Sequence, residues 1–184
     1  NIINFNKNDK IVVDCTSNNT IPNYYSKFIN SGIMVVTPNK KGLSGSLDLF
    51  NSLYNSFKKK RFMFETTVGA GLPMIKTLYE LIESNHDIIK IEGMFSGTLN
   101  YVMSSYMENN DKSLSEIVKI ALEKGYTEPN PYDDLNGSDV ARKILILSRL
   151  MGSKKHLNDI DVQPLVNMTM EEISTVSIFF ENLK

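Results

Sequence analysis

Asp139 and Lys143 stand four residues apart in the run GYTEPNPYDDLNGSDVARK, residues 125–143. On a helix that spacing places a carboxylate and an ammonium on one face, where both can act on one small molecule. Asn136, Gly137 and Ser138 supply turn and N-cap chemistry before the apolar positions Val140, Ile144 and Leu147, so the spacing predicts a helix from Ser138 to Met151. Pro129 and Pro131 interrupt regular structure just upstream, which predicts that Glu128, Asp133 and Asp134 ride a shaped loop. The plain alternative is a solvated acidic loop and one intrahelical ion pair worth a few tenths of a kcal/mol. These residues alone leave both readings open.

The elements that must position such groups are legible upstream. Lys10–Cys15 is a β-branched run ending in a polar turn, and Pro22–Ser31 has helical spacing up to Gly32. Ile33–Val36 is a second apolar strand that enters Thr37, Pro38, Asn39 and Lys40. Strand, helix and strand within so short a span predict a parallel crossover unit, with ligand groups beyond the carboxyl ends of the strands. A helix is expected over Leu43–Lys60, its basic end KKKR favoured by the helix dipole. Phe62–Glu65 reads as a strand, followed by the Gly-containing turn TTVGAGLP and a helix over Met74–Ser84. Asp87–Phe95 alternates like a strand, and Ser96, Gly97 and Thr98 open a helix through Met107. Leu114–Lys124 is amphipathic and closes at Gly125; Asp159–Val166 reads as a strand, and the tail from Met168 to Leu183 has helical spacing.

Composition bounds the function classes. The chain has 184 residues, with Lys plus Arg 20 against Asp plus Glu 21, so no net field favours nucleic acid or an anionic membrane. No apolar run reaches the roughly 20 residues of a membrane span, and the first residues lack signal-peptide character, so a cytoplasmic protein is expected. Cys15 is the single cysteine, and His86 and His156 have no companions at ligand spacing, which argues against a transition-metal site. Cys15 ends a strand read as buried and is taken as packing; a nucleophilic role, as in a semialdehyde dehydrogenase, lacks a nearby histidine.

Five strings coincide in order: VVDCTSN, VVTPNKKG, ETTVGAGLP, EGMFSGTLNY and GYTEPNPYDDLNGSDVARK. Together they resemble homoserine dehydrogenase over roughly residues 10–166. The forms VDCTS and IDVQPLV are similar to the dehydrogenase portion of the bifunctional aspartokinase/homoserine dehydrogenases.

The resemblance implies an α/β fold: the C-terminal part of a Rossmann-type nucleotide domain at 1–60, then a substrate and dimerisation domain with a mixed sheet at 61–184. It implies NAD- or NADP-dependent interconversion of homoserine and aspartate 4-semialdehyde, in threonine, methionine and isoleucine biosynthesis, by a homodimer. Lys143 matches the proposed proton donor, and Lys40 matches a cofactor-side lysine that also reaches the reacting centre. Thr16 matches a second cofactor position. Glu128, Asp134 and Asp139 match the residues that bind the amino-acid substrate. Glu65, Val68, Ala70 and Leu72 match a turn whose carbonyls hold a monovalent cation, usually sodium. Two family features are not found in this sequence, the glycine-rich cofactor turn and the C-terminal closing segment. A fragment with half of the cofactor site is therefore expected, and a non-catalytic assembly or regulatory module is the alternative. The residue that discriminates NAD from NADP is expected upstream of Asn1.

Overall fold

The computed structural model describes residues 10–109, 111–169 and 171–183. The first nine residues of the expected nucleotide-domain span and Met170 of the expected helical tail lie outside the described residues. The chain divides into two units, one formed by residues 1–91 and 142–160, the other by 92–141 and 161–184.

The first unit is built on a parallel sheet. Strands β1 (Ile11–Val13), β2 (Met34–Val36) and β3 (Phe62–Met63) lie in the order β1-β2-β3, with Val12 opposite Val35 and Val35 opposite Phe62. A 3₁₀ turn, Ile21–Tyr24, leads into α1 (Tyr25–Asn30), which returns the chain from β1 to β2. Helix α2 (Leu47–Lys58) joins β2 to β3, and α3 (Met74–Glu83) follows β3. The strand–helix–strand expectation therefore holds, as a Rossmann-type α/β unit. The central strand buries one face fully, with Val35 enclosed by the buried Tyr25, Ile33, Leu53 and Phe62, while Met34 and Val36 on its other face are half-buried. Tyr25, Phe62 and Phe64 form a ring chain at 5.7 and 5.5 Å.

Several boundaries move for local reasons. Helix α2 begins four residues later than expected because Ser46 caps it, its Oγ accepting from the Leu49 N–H at 3.3 Å, while residues 40–45 form a turn. Strand β3 stops at Met63, because Glu65–Thr67 winds into a 3₁₀ turn. Cys15, expected as packing, is exposed. The physical reason is that β1 pairs only with β2 among the described residues, and Ile11 and Val13 are themselves exposed on its open side.

The described elements of the second unit are helices: α4 (Gly97–Glu108), α5 (Leu114–Glu123), α6 (Tyr132–Leu135), the first residues of α7 (Ser138–Leu150) and α8 (Val176–Asn182). Its core gathers Val102, Ile117, Val118, Ala121, Leu135, Phe179 and Leu183. Ser113 and Glu116 close a capping box at the start of α5, and Thr175 caps α8. The strands expected at 87–95 and 159–166 do not form, and so neither does the mixed sheet expected for the second domain: among the described residues neither segment enters a ladder. Alternation selects a face, but a strand exists only against a partner backbone. Ile89, in the middle of the first segment, is 97% exposed. In the tail, the helix is confined to Val176–Asn182.

Ile117 is almost completely buried in the core of the second unit. Ile117→Ala should cost about 2–5 kcal/mol, read from urea unfolding. A loss below about 1 kcal/mol would show that this helical core does not pack as described.

Candidate functional site

At the carboxyl ends of β1 and β2 a carboxylate is buried. Asp14 is 4% exposed. Its Oδ1 accepts from the Thr16 N–H at 2.9 Å and from Thr16 Oγ1 at 2.7 Å. Its Oδ2 accepts from the Tyr25 hydroxyl and from Asn39 Nδ2 at 3.1 Å. The Asp14 carbonyl accepts from Thr37 Oγ1 at 2.8 Å, and Thr37 Oγ1 accepts the Asn39 N–H at 2.9 Å. Burial works to raise the carboxyl pKa, but the donors Tyr25, Thr16 and Asn39 outweigh it and hold it below the ordinary value. Burial, seconded by the Asp14 carboxylate, pushes the Tyr25 phenol up.

This network fixes one expected cofactor-side residue, Thr16, and the immediate neighbour of the other, Lys40. Thr16 is exposed but held by Asp14, and Asn39, just before Lys40, is tied both to Asp14 and to the Asn18 carbonyl at 3.0 Å. Asp14, Tyr25, Thr37 and Asn39 were not singled out from sequence. One available signal was an acidic residue at the end of a β-branched run, where an unpaired carboxylate would be costly.

Lys40 is half-buried at the start of a tight turn in which Ser44 donates its N–H and its Oγ to the Lys40 carbonyl, both at 2.9 Å. Lys143 is half-buried on α7, in the part of that helix belonging to the same unit. Its neighbour Arg142 reaches Ser44 Oγ at 3.4 Å. Thr16, Lys40 and Lys143 thus belong to the first unit, as do Glu65, Val68, Ala70 and Leu72. In the Val68–Leu72 turn, Gly69 and Ala70 both take positive φ, 84° and 51°. A Cβ at Gly69 would lie 2.5 Å from Met74 Cγ, so only glycine fits there, and Ala70 holds a conformation costly for an L-residue. The Glu65 carboxylate accepts from the N–H groups of Ile75 at 2.9 Å and Lys76 at 3.0 Å, so its side chain binds the start of α3. The Leu72 carbonyl accepts from Met74 N–H at 2.8 Å.

Glu128, Asp134 and Asp139 belong to the second unit. Glu128 lies on an exposed loop, but Asp133 and Asp134 ride the single turn α6 rather than the expected loop. Pro131, at φ −60°, is already in helical geometry, so it starts this turn instead of preventing it. Asp134 binds the loop to itself: Oδ2 accepts the Glu128 N–H at 2.7 Å, and Oδ1 lies 3.0 Å from Thr98 Oγ1, which also approaches the Tyr126 carbonyl at 2.6 Å. Thr98 was read from sequence as part of a cap. Ser96 is the cap, its Oγ accepting from Leu99 N–H at 3.1 Å, and Thr98 is a loop anchor. Gly137, at φ 75°, turns the chain into α7 with Val162 against it, and α7 carries Asp139 and Lys143 one turn apart.

Parallel strands joined by a crossover helix, with polar groups collected at their carboxyl ends, place the first unit among dinucleotide-binding α/β folds. The family profile described as the NAD binding domain of homoserine dehydrogenase matches residues 1–66, and the profile of homoserine dehydrogenase itself matches residues 73–183. The chain belongs to the homoserine dehydrogenase family. It is similar to the homoserine dehydrogenase of Saccharomyces cerevisiae, 42% identical over 94% of this chain and 49% of the yeast protein. It is equally similar to the maize chloroplastic bifunctional aspartokinase/homoserine dehydrogenase 2, 42% identical over 95% of this chain but 19% of that protein. The chain thus spans half or less of these relatives. Among solved structures, a Candida auris protein described as of unknown function matches with TM-score 0.83 and 41% identity, over 95% of this chain and 51% of that one. A hyperthermophilic archaeal homoserine dehydrogenase in complex with NADPH matches with TM-score 0.60 and 25% identity, over 76% of this chain and 43% of that one. Among the described residues, no helix is long and apolar enough to cross a membrane.

Because the Asp14 carboxyl titrates below its unfolded value, its contribution is complete above about pH 4 and is lost as pH falls through the native value. Asp14→Asn turns one acceptor oxygen into a donor facing donors, and should cost about 2–3 kcal/mol at neutral pH. The gap between wild type and variant should narrow on acidification. Urea midpoints that differ by the same amount at neutral pH and at about pH 3 would show that the carboxylate charge is not what the network binds.

Proposed function

We propose that the protein carrying this chain interconverts L-homoserine and L-aspartate 4-semialdehyde with NAD or NADP. The observation that carries the reading is that α7 runs unbroken from Ser138 to Leu150 in a chain of this family, presenting Asp139 and Lys143 one turn apart. We take residues 1–60 as the C-terminal part of the dinucleotide-binding domain and 61–184 as the substrate and dimerisation domain of a homodimer. The reaction belongs to the synthesis of threonine, methionine and isoleucine.

Aldehyde reduction needs a hydride on carbon 4 and a proton on its oxygen. A bound nicotinamide supplies the hydride and is itself oxidised. The Lys143 ammonium gives its proton to the forming alkoxide, and takes it back when homoserine is oxidised. Lys40 and Thr16 face the cofactor from the carboxyl ends of the parallel strands. The exposed Thr16 side and the held Asn39–Lys40 turn suit that role, since their backbones are fixed by Asp14 before any ligand binds. Glu128 and Asp139 offer carboxylates to the substrate ammonium. Asp134, whose oxygens meet the Glu128 N–H and the Thr98 hydroxyl of α4, contributes the shape of the loop from which Glu128 projects. The carbonyls of Glu65, Val68, Ala70 and Leu72 are proposed to hold a monovalent cation; the positive φ of Ala70, costly for a plain connection, is the support for it.

Lys143→Ala in the full-length protein should lower turnover by about 10² or more, with substrate binding partly retained. Near-normal turnover would remove Lys143 from the chemistry. Saturable quenching or enhancement of NADPH fluorescence separates the enzyme from a non-catalytic module of the same family, which would show none. Exchanging sodium for tetramethylammonium should lower the thermal midpoint if the carbonyl turn holds a small cation; an unchanged midpoint would remove the cation from this turn.

A further inference from the structure

Arg149 lies near the end of α7, where an arginine ordinarily projects into solvent and gains from the helix dipole. Here it is 2% exposed. Nη1 donates to the Leu43 carbonyl at 2.8 Å and to the Gly45 carbonyl at 2.9 Å. Nε and Nη2 donate to the Lys155 carbonyl at 3.1 and 3.0 Å, and the guanidinium lies over the Phe50 ring at 5.6 Å. Burial alone lowers its pKa. A buried cation carries a large desolvation penalty, and an apolar side chain of the same volume would fill the space without it. What no apolar side chain supplies is a rigid planar fork able to seize carbonyls of two separate segments at once.

The segments it seizes are informative. Leu43 and Gly45 flank Ser44, which donates twice to the Lys40 carbonyl and meets Arg142, the residue before Lys143. The turn that begins with Lys40 is therefore fastened at three consecutive residues to the helix that carries Lys143. Lysine side chains are long and flexible, so their useful placement depends on how firmly their backbones are held. We propose that Arg149 is a positioning residue for the reaction: it holds the Lys40 turn and α7 at the spacing from which Lys40 and Lys143 act on one reacting centre. This rests on the roles of Lys40 and Lys143 given above. Arg142 and Ser44 form the smaller, second fastening.

The variants to measure are Arg149→Met and Arg149→Lys in the full-length protein, with folding checked by circular dichroism and kinetics run well below the melting midpoint. Met keeps the bulk and loses every donor; Lys keeps the charge but has no planar fork. Both should lose about tenfold or more in kcat, with KM for NADPH within about threefold of wild type. A purely structural arginine would lower the melting midpoint and leave kcat of the folded protein unchanged, and that result in either variant overturns the proposal. If Arg149→Met does not fold, Arg149→Lys decides alone. Lys143→Ala run in parallel separates the two ideas. An inactive Lys143→Ala beside a fully active Arg149→Lys overturns the positioning role only, whereas an active Lys143→Ala overturns the reading beneath it.

Discussion

A buried carboxylate that must be satisfied organises the first unit. Asp14 sits where β1 ends, and four donor atoms from three residues, together with the Thr37 hydroxyl on its carbonyl, converge there. Left unpaired, that charge would cost more than the unit could sustain. Meeting its demand forces α1 to present Tyr25, and it brings the loops after β1 and β2 together. The exposed Thr16 and the turn at Lys40 are held as a consequence, so the expected cofactor-facing groups are fixed by a neighbour that itself faces inward.

A similar economy governs the acidic segment. Asp134 gives one oxygen to the Glu128 N–H and turns the other to Thr98 of α4, and α6 begins at a proline that primes the turn. At the other end of α7, Arg149 does for the Lys40 turn what Asp134 does for the Glu128 loop. In each case a charge that looks available in sequence is consumed in holding backbone. Preorganisation of this kind is what lets flexible lysines and carboxylates meet a small substrate in reactive geometry.

The helices and the parallel unit were legible because their signals are local. Apolar periodicity, with Pro73 opening α3, Gly125 closing α5 and Gly152 following α7, marks these helices within a residue or two. The segments 87–95 and 159–166 misled for the complementary reason: alternation describes one strand, while pairing needs another. Cys15 was misread because burial on a strand depends on whether a layer covers that side.

Sequence by itself determined the family, the α/β character of the first unit and the roster of candidate groups, since these follow from residue types at fixed spacings. Tertiary structure alone decided which charges are occupied. The β-branched run before Asp14 hints that its carboxylate needs partners but does not name them, and nothing in ARKILILSRL separates Arg142, at half burial, from Arg149, sealed against three carbonyls. The physical reason is that hydrogen-bond satisfaction and burial depend on neighbours brought together by the fold, up to 25 residues apart for Asp14 and 106 for Arg149, and no local spacing records them.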